Sequence, residues 1–174
     1  MNIILFGFKG CGKTTIGKLL ADKLAMQFVD IDRVIENIYF AKYHAKLSVR
    51  EIYKKLGEDD FRNLEKEAIL SLVDLNNTII ATGGGSVLDA DNLSKLKKLG
   101  TLVYLQSDKS NIKKRILSET LPAFLDPNDL EGSFEEMYKN RKNIYENIAV
   151  IVINTEGMDN EAIIKKIIYE VKNG

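Results

Sequence analysis

The stretch GFKGCGKT at residues 7–14 matches G-x-x-x-x-G-K-[ST] and limits what this chain can be more than any other feature. Apolar residues Ile3 to Phe6 precede it, and a helical stripe with Ile16, Leu19, Leu20 and Leu24 follows. A strand, a glycine-rich turn and a helix in that order let backbone N–H groups curl around an anion, and the new helix adds the positive end of its dipole. Gly10, Cys11, Gly12, Lys13, Thr14 and Thr15 form this cradle, with Lys13 able to reach the outer phosphates of a nucleotide and Thr14 to ligate Mg²⁺. Cys11 reads as a small residue that fits the loop, and Lys9 either adds charge near the phosphates or points to solvent.

Bulk composition excludes several other classes. With 174 residues the chain is long enough for one domain with a proper core, residues 1–174, and short for two. Lys and Arg together number 25, as do Asp and Glu, so no surplus positive charge drives binding along a nucleic-acid backbone. No apolar run approaches the roughly 20 residues that cross a bilayer. The opening MNIILFG lacks a positive leader and reads as a strand, and a single cysteine fits a reducing compartment, so the expected address is cytoplasmic. No large apolar surface stripe is left over, which makes a monomer the expectation.

Short β-prone runs at Ile3 to Phe6, Phe28 to Asp30, Thr78 to Ala81, Thr101 to Leu105 and Ala149 to Asn154 alternate with amphipathic stretches. Five strands with helical crossovers imply an α/β fold with a parallel sheet covered on both faces. Helical spacing recurs at Phe61, Leu64, Ala68, Leu72 and Leu75, and again from Glu161 to Val171. Between about 31 and 75 no strand signal is visible, which predicts an all-helical insertion. The stretch SETLPAFLDPNDLEGS, Ser118 to Ser133, holds both prolines and no clean period, as expected of a lid, a binding loop or disorder.

A phosphate cradle serves switch GTPases, ATPases and small-molecule kinases alike. No guanine-reading Asn-Lys-x-Asp occurs, and DLEG at 129–132 matches the switch pattern by chance alone. Asp30 and Asp32 end the second strand two residues apart, so both carboxylates would point toward the crevice beside the cradle. They either serve a metal and an acceptor hydroxyl or cap the next helix and face solvent. Gly83, Gly84 and Gly85 follow the third strand and suggest close approach of a ligand to backbone N–H groups, or an ordinary tight turn. Arg62 stands one helical turn before Glu65, a spacing at which they pair. Arg115 and Arg141 are not distinguished by spacing, and His44 reads as a residue on a solvated helix face.

Together, GFKGCGKTTIGKLLA, FVDIDRVIE, SVREIYKKLGEDDFRNLEKE, ATGGGSV and YKNRKNIYE resemble the shikimate kinases, small P-loop kinases of the nucleoside monophosphate kinase type, over nearly the whole chain. The resemblance implies a three-layer fold with sheet order 2-3-1-4-5, a helical substrate-binding region at about 31–75 and a lid at about 116–132. It implies transfer of phosphate from ATP, with Mg²⁺, to the 3-hydroxyl of shikimate on the route to chorismate and aromatic amino acids. In that family's terms Lys13 would hold the transferring phosphate, Thr14 and Asp30 the metal, and Asp32 the acceptor hydroxyls, as the group that accepts the proton. Arg62 and Arg141 would grip the carboxylate, Glu65 would orient Arg62, and Gly83 to Gly85 would complete the pocket. Phe61 and Tyr53 would wall it, and Arg115 would pack on adenine.

One position departs from the pattern. The family's lid carries an arginine just before a proline, where this chain has Leu121 before Pro122. Leucine stabilises no phosphoryl charge, so another cation, with Lys9, Lys113 and Lys114 as candidates, takes the role or turnover is slow. Two other readings stay open: a related small-molecule kinase of the gluconate kinase kind, and a nucleotide-binding regulator with little catalysis.

Overall fold

The computed structural model describes residues 1–118 and 125–173, and the Leu121–Pro122 pair lies outside them. Five strands form one parallel sheet: β1 (Ile3–Phe6), β2 (Gln27–Asp30), β3 (Thr78–Ala81), β4 (Thr101–Gln106) and β5 (Ile151–Asn154), in the order β2-β3-β1-β4-β5. Helix α1 (Lys13–Leu24) follows β1. Helices α2 (Ile31–Tyr43), α3 (Val49–Leu56) and α4 (Glu58–Leu70) fill the stretch before β3, which is helical as the sequence implies. Beyond β3 come a short 3-10 turn (Ser86–Leu88), α5 (Ala90–Leu99), α6 (Lys109–Ser118), α7 (Leu130–Ile148) and α8 (Asn160–Asn173).

All four residues of β1 are fully buried because both faces of the sheet are covered. Successive strand residues point to opposite faces. Ile4 and Phe6 join Ile80, Leu102 and Tyr104 under α2, α4, α5 and α7, whereas Ile3 and Leu5 join Ile79, Val103 and Leu105 under α1 and α8. With β1 paired to β3 and β4, the ends of β1, β2 and β3 open on the same edge.

The strand and helix limits differ from the sequence reading at a few places. Helix α7 runs to Ile148 and closes on Ala149, whose N–H donates to the Tyr145 carbonyl, so β5 begins at Ile151 rather than at Ala149. Leu19 is 40% exposed and lies off the buried stripe of α1, which instead includes Gly17. A Cβ on Gly17 would stand 2.5 Å from the Phe28 ring, so the helix comes close to β2 along this glycine and turns Leu19 outward. Helix α4 ends at Leu70, while Leu72 stays buried in the turn beyond it. Within the irregular stretch the Asp129 side chain accepts from Gly132 N at 2.9 Å and caps α7, which explains DLEG. At the outer edge of the sheet Val150 and Val152 are 69% and 43% exposed, an apolar strip that the sequence reading did not single out.

Asn2, nearly fully buried, ties the end of the sheet remote from the cradle. Its Nδ2 donates to the carbonyls of Leu75 (2.6 Å) and Leu99 (2.9 Å), and its Oδ1 accepts from Thr78 N at 3.0 Å. Replacing Asn2 with alanine orphans these buried groups, so Asn2→Ala is expected to lower stability by about 2–4 kcal/mol in denaturant titration while nucleotide affinity stays unchanged. An unchanged midpoint would mean that water replaces all three bonds.

Candidate active site

The glycine-rich turn takes its shape from three left-handed or otherwise positive φ values, at Gly7 (143°), Gly10 (78°) and Gly12 (97°). Gly7 also admits no side chain, since a Cβ there would lie 2.8 Å from the Leu105 carbonyl oxygen. Cys11 N donates to Phe8 O at 3.2 Å, closing a turn with Lys9 and Gly10 at its tip. The buried ammonium of Lys13 donates to Gly7 O (3.0 Å) and Phe8 O (2.9 Å), so the loop is wrapped around a positive charge. The Cys11 thiol is buried beneath it, 3.8 Å from Lys13 Nζ, as a small packing group.

Gly10 to Thr15 line a cavity of about 670 Å³ with Asn111, Arg115, Thr155 and Gly157. Arg115 packs its aliphatic stem on Gly10 and donates from Nη1 to the Gly10 carbonyl, which sets it at the outer wall. On the inner wall Asp30 caps the next helix and also reaches the cradle. Its Oδ1 caps α2 by accepting from Asp32 N at 3.1 Å, and its Oδ2 accepts from Thr14 Oγ1 at 2.8 Å. A hydroxyl and a carboxylate side by side next to a phosphate cradle are hard oxygen donors that suit Mg²⁺. Among the described residues no three acids, histidines or cysteines gather, so such an ion would complete its shell with phosphate and water oxygens.

A second cavity of about 240 Å³ adjoins the first, and the two share Lys9, Asp32, Gly83 and Gly84. Tyr53 and Phe61 form its aromatic wall, their rings 5.2 Å apart and edge to face, with the Arg62 guanidinium 5.7 Å from the Phe61 ring centre. Arg62 Nη1 donates to Glu65 Oε2 at 2.9 Å. Glu65 is almost entirely buried and also accepts from Ser86 Oγ (2.7 Å) and Asn92 Nδ2 (3.4 Å), so α4, the turn after β3 and α5 meet on one carboxylate. Arg141, from α7, lines the cavity near Gly84, and Tyr145 one turn later donates its hydroxyl to the Gly84 carbonyl. Burial pushes the Tyr145 phenol up to about 12, against a smaller downward pull from Arg141, which keeps it a donor.

The three glycines serve a purpose that the sequence reading only half anticipates. A Cβ on Gly83 would sit 3.0 Å from Asp32 Oδ1, and one on Gly85 would sit 2.9 Å from Arg62 Nη2. Their missing side chains therefore leave room first for Asp32 and Arg62. Desolvation, then the Asp30 charge, raise the Asp32 carboxyl to about 6; Glu65 and Glu36 add to this and Lys13 opposes it.

Sequence reasoning missed Arg50, which lines the second cavity from α3, and the partners of Glu65, Ser86 and Asn92. Their signal is absent from spacing, since isolated polar residues acquire a role only when distant elements meet. Of the three lysines considered beside Leu121, Lys113 is bound to Glu131 and Lys114 is exposed on α6, while Lys9 lines both cavities.

A family model described as shikimate kinase matches residues 9–172. A shikimate kinase of Thermodesulfovibrio yellowstonii is 38% identical over 97% of this chain and 94% of its own length. One of Alkaliphilus oremlandii is 38% identical over 98% of each. The solved shikimate kinase of Acinetobacter baumannii in complex with shikimate superposes with a TM-score of 0.83 at 30% identity, over 96% of this chain and 90% of that one. Matches of this extent, on a sheet of the order that the family resemblance implies, show that the chain belongs to the shikimate kinase family.

Proposed function

We propose that this protein transfers the γ-phosphoryl group of ATP to the 3-hydroxyl of shikimate, giving shikimate 3-phosphate and ADP in the cytoplasmic synthesis of aromatic precursors. The observation that carries this reading is the junction of the two cavities, where a phosphate cradle and a pocket lined by Arg50, Arg62 and Arg141 meet at Asp32. A gluconate-type acceptor fits less well, because the aromatic wall of Tyr53 and Phe61 offers a flat face to a ring. Residues 1–174 work as one unit in this reading, with about 31–75 holding the acceptor.

In the mechanism, the Gly10–Thr15 amides and Lys13 hold the polyphosphate, and Arg115 lies against the base. Thr14 and Asp30 would hold Mg²⁺, which when bound neutralises charge on the β- and γ-phosphates. Arg62 and Arg141 take the substrate carboxylate by paired charge-assisted hydrogen bonds, with Arg62 fixed by Glu65. Asp32 holds the acceptor hydroxyl. It takes the hydroxyl proton as the oxygen bonds to the γ-phosphorus, while the bond from that phosphorus to the β,γ-bridging oxygen breaks and ADP leaves. A carboxyl near 6 is ionised at neutral pH yet basic enough to accept a proton. Lys9 adds positive charge where the phosphoryl group crosses from one cavity to the other.

The raised Asp32 pKa has two measurable consequences. Activity needs the ionised form, so kcat/KM for shikimate should fall as pH drops through about 6, and Asp32→Asn should cut kcat by about 10²–10⁴-fold. For stability the sign reverses. The folded state binds the proton more tightly than the unfolded chain, at 3.8, and loses stability as pH rises from 3.8 to about 6. Asp32→Asn should thus gain on the order of 1–2 kcal/mol at neutral pH and little in acid. A pH-independent rate with equal stability of both forms would remove Asp32 from the chemistry.

Arg62→Ala should weaken shikimate binding about 100-fold in calorimetry and leave ATP affinity unchanged, and parallel loss of both ligands would point to collapse of the Glu65 cluster instead. Lys9→Met should lower kcat about tenfold or more with both KM values within about twofold, whereas Lys9→Arg should retain most of the rate. A normal kcat in Lys9→Met would leave the crossing point to other cations.

A further inference from the structure

Among the described residues three buried side-chain atoms lack a hydrogen-bond partner: Thr82 Oγ1, Asn92 Oδ1 and Arg50 Nε. The first two are neutral, and Asn92 is otherwise tied to Glu65. Arg50 is different, because its orphaned donor belongs to a charged group, for which burial without a partner is costly.

Of the acids that line the same cavities as Arg50, Glu36, Asp30 and Glu65 already accept hydrogen bonds, and among the described residues no hydrogen bond or ion pair joins Arg50 to Asp32. Glu36 accepts from Val49 N on Oε1 (3.2 Å) and from Arg33 Nη1 on Oε2 (2.5 Å). Asp30 is taken by Asp32 N and Thr14, and Glu65 by Arg62, Ser86 and Asn92. No ion pair joins Arg50 to an acid among the described residues.

The position of Arg50 is fixed. Ser48 and Glu51 close a capping box at the start of α3, with Ser48 N donating to Glu51 Oε2 at 2.8 Å, and Val49 N is anchored to Glu36. Tyr53, three residues on, shares its helix face with Arg50 and lines the same acceptor cavity. Arg50 also borders a neighbouring depression with Thr14, Asp30 and Asp32, where neither Arg62 nor Arg141 reaches. It therefore stands on the Asp32 side of the acceptor cavity.

We propose that Arg50 is a third guanidinium of the substrate pocket, binding the acceptor by donating to a ring hydroxyl oxygen on the Asp32 side, apart from the carboxylate held by Arg62 and Arg141. This rests on the function proposed above. Its effect is selectivity: an acid that lacks the ring hydroxyl beside the reacting one leaves Arg50 unsatisfied and binds poorly.

The test uses the full chain with Arg50→Met and Arg50→Lys, measuring KM for ATP, for shikimate and for a shikimate analogue without that neighbouring hydroxyl. Arg50→Met is expected to raise the shikimate KM about tenfold, to leave the ATP KM within about twofold and to leave the analogue KM unchanged. Arg50→Lys is expected to recover part of the loss, since an ammonium cannot place a donor where Nε stands. A melting temperature equal to that of the unaltered protein separates this from a structural role. An unchanged shikimate KM, an equal rise for ATP, or an equal loss with the analogue overturns the assignment. If the unaltered protein itself releases no ADP with shikimate, the function reading fails and takes this inference with it; normal turnover with an unaffected Arg50→Met sinks Arg50 alone.

Discussion

The position of β1 between β3 and β4 is the constraint from which the rest follows. Because the sheet is parallel and buried on both faces, the ends of β1, β2 and β3 deliver the cradle, the Asp30–Asp32 pair and the three glycines to one edge. None of these groups needs a long loop to reach its place. The cradle leaves β1 directly, and the buried Lys13 ammonium on the Gly7 and Phe8 carbonyls holds its curve.

Charge within the site is distributed by the same geometry. The nucleotide side presents backbone N–H groups and Lys13, the acceptor side presents guanidinium groups, and the acids lie between them. Asp32 is poorly hydrated and crowded by Asp30, so it holds its proton more tightly than an exposed aspartate; Glu65, almost entirely buried, accepts from three donors. Two carboxylates beside the same glycine turn thus have different surroundings, since desolvation and a neighbouring charge act on Asp32 while Glu65 is held by three hydrogen bonds.

Much of this was legible in the amino-acid order. The strand–turn–helix signature, the five apolar runs and the helical stretch before β3 appear in the structure nearly where periodicity puts them, because a sheet covered on both faces demands continuous apolar strands. Periodicity failed at Leu19, where close packing against Phe28 through Gly17 outweighed the helical stripe. In the site, Asp30 ends β2 as its sequence position implies, whereas Asp32 already lies in the first turn of α2 rather than on the strand, so helix geometry and not the extended spacing of two brings it to the crevice. Arg62 and Glu65 needed the family resemblance, and Arg50, Ser86 and Asn92 were invisible, since each sits in a polar stretch like any other and gains meaning only from what the fold sets opposite it.

The shared carboxylate of Glu65 has a consequence for how such a pocket can change. Helix α4, the turn after β3 and α5 are fastened to it at once, so the residues that choose the acceptor are not independent dials. Redirecting this scaffold to a different acid by altering Arg62 alone would strand a buried negative charge. Glu65, Ser86 and Asn92 would have to be exchanged as a block, which makes the trio, rather than any single position, the unit in which specificity can be inherited or engineered.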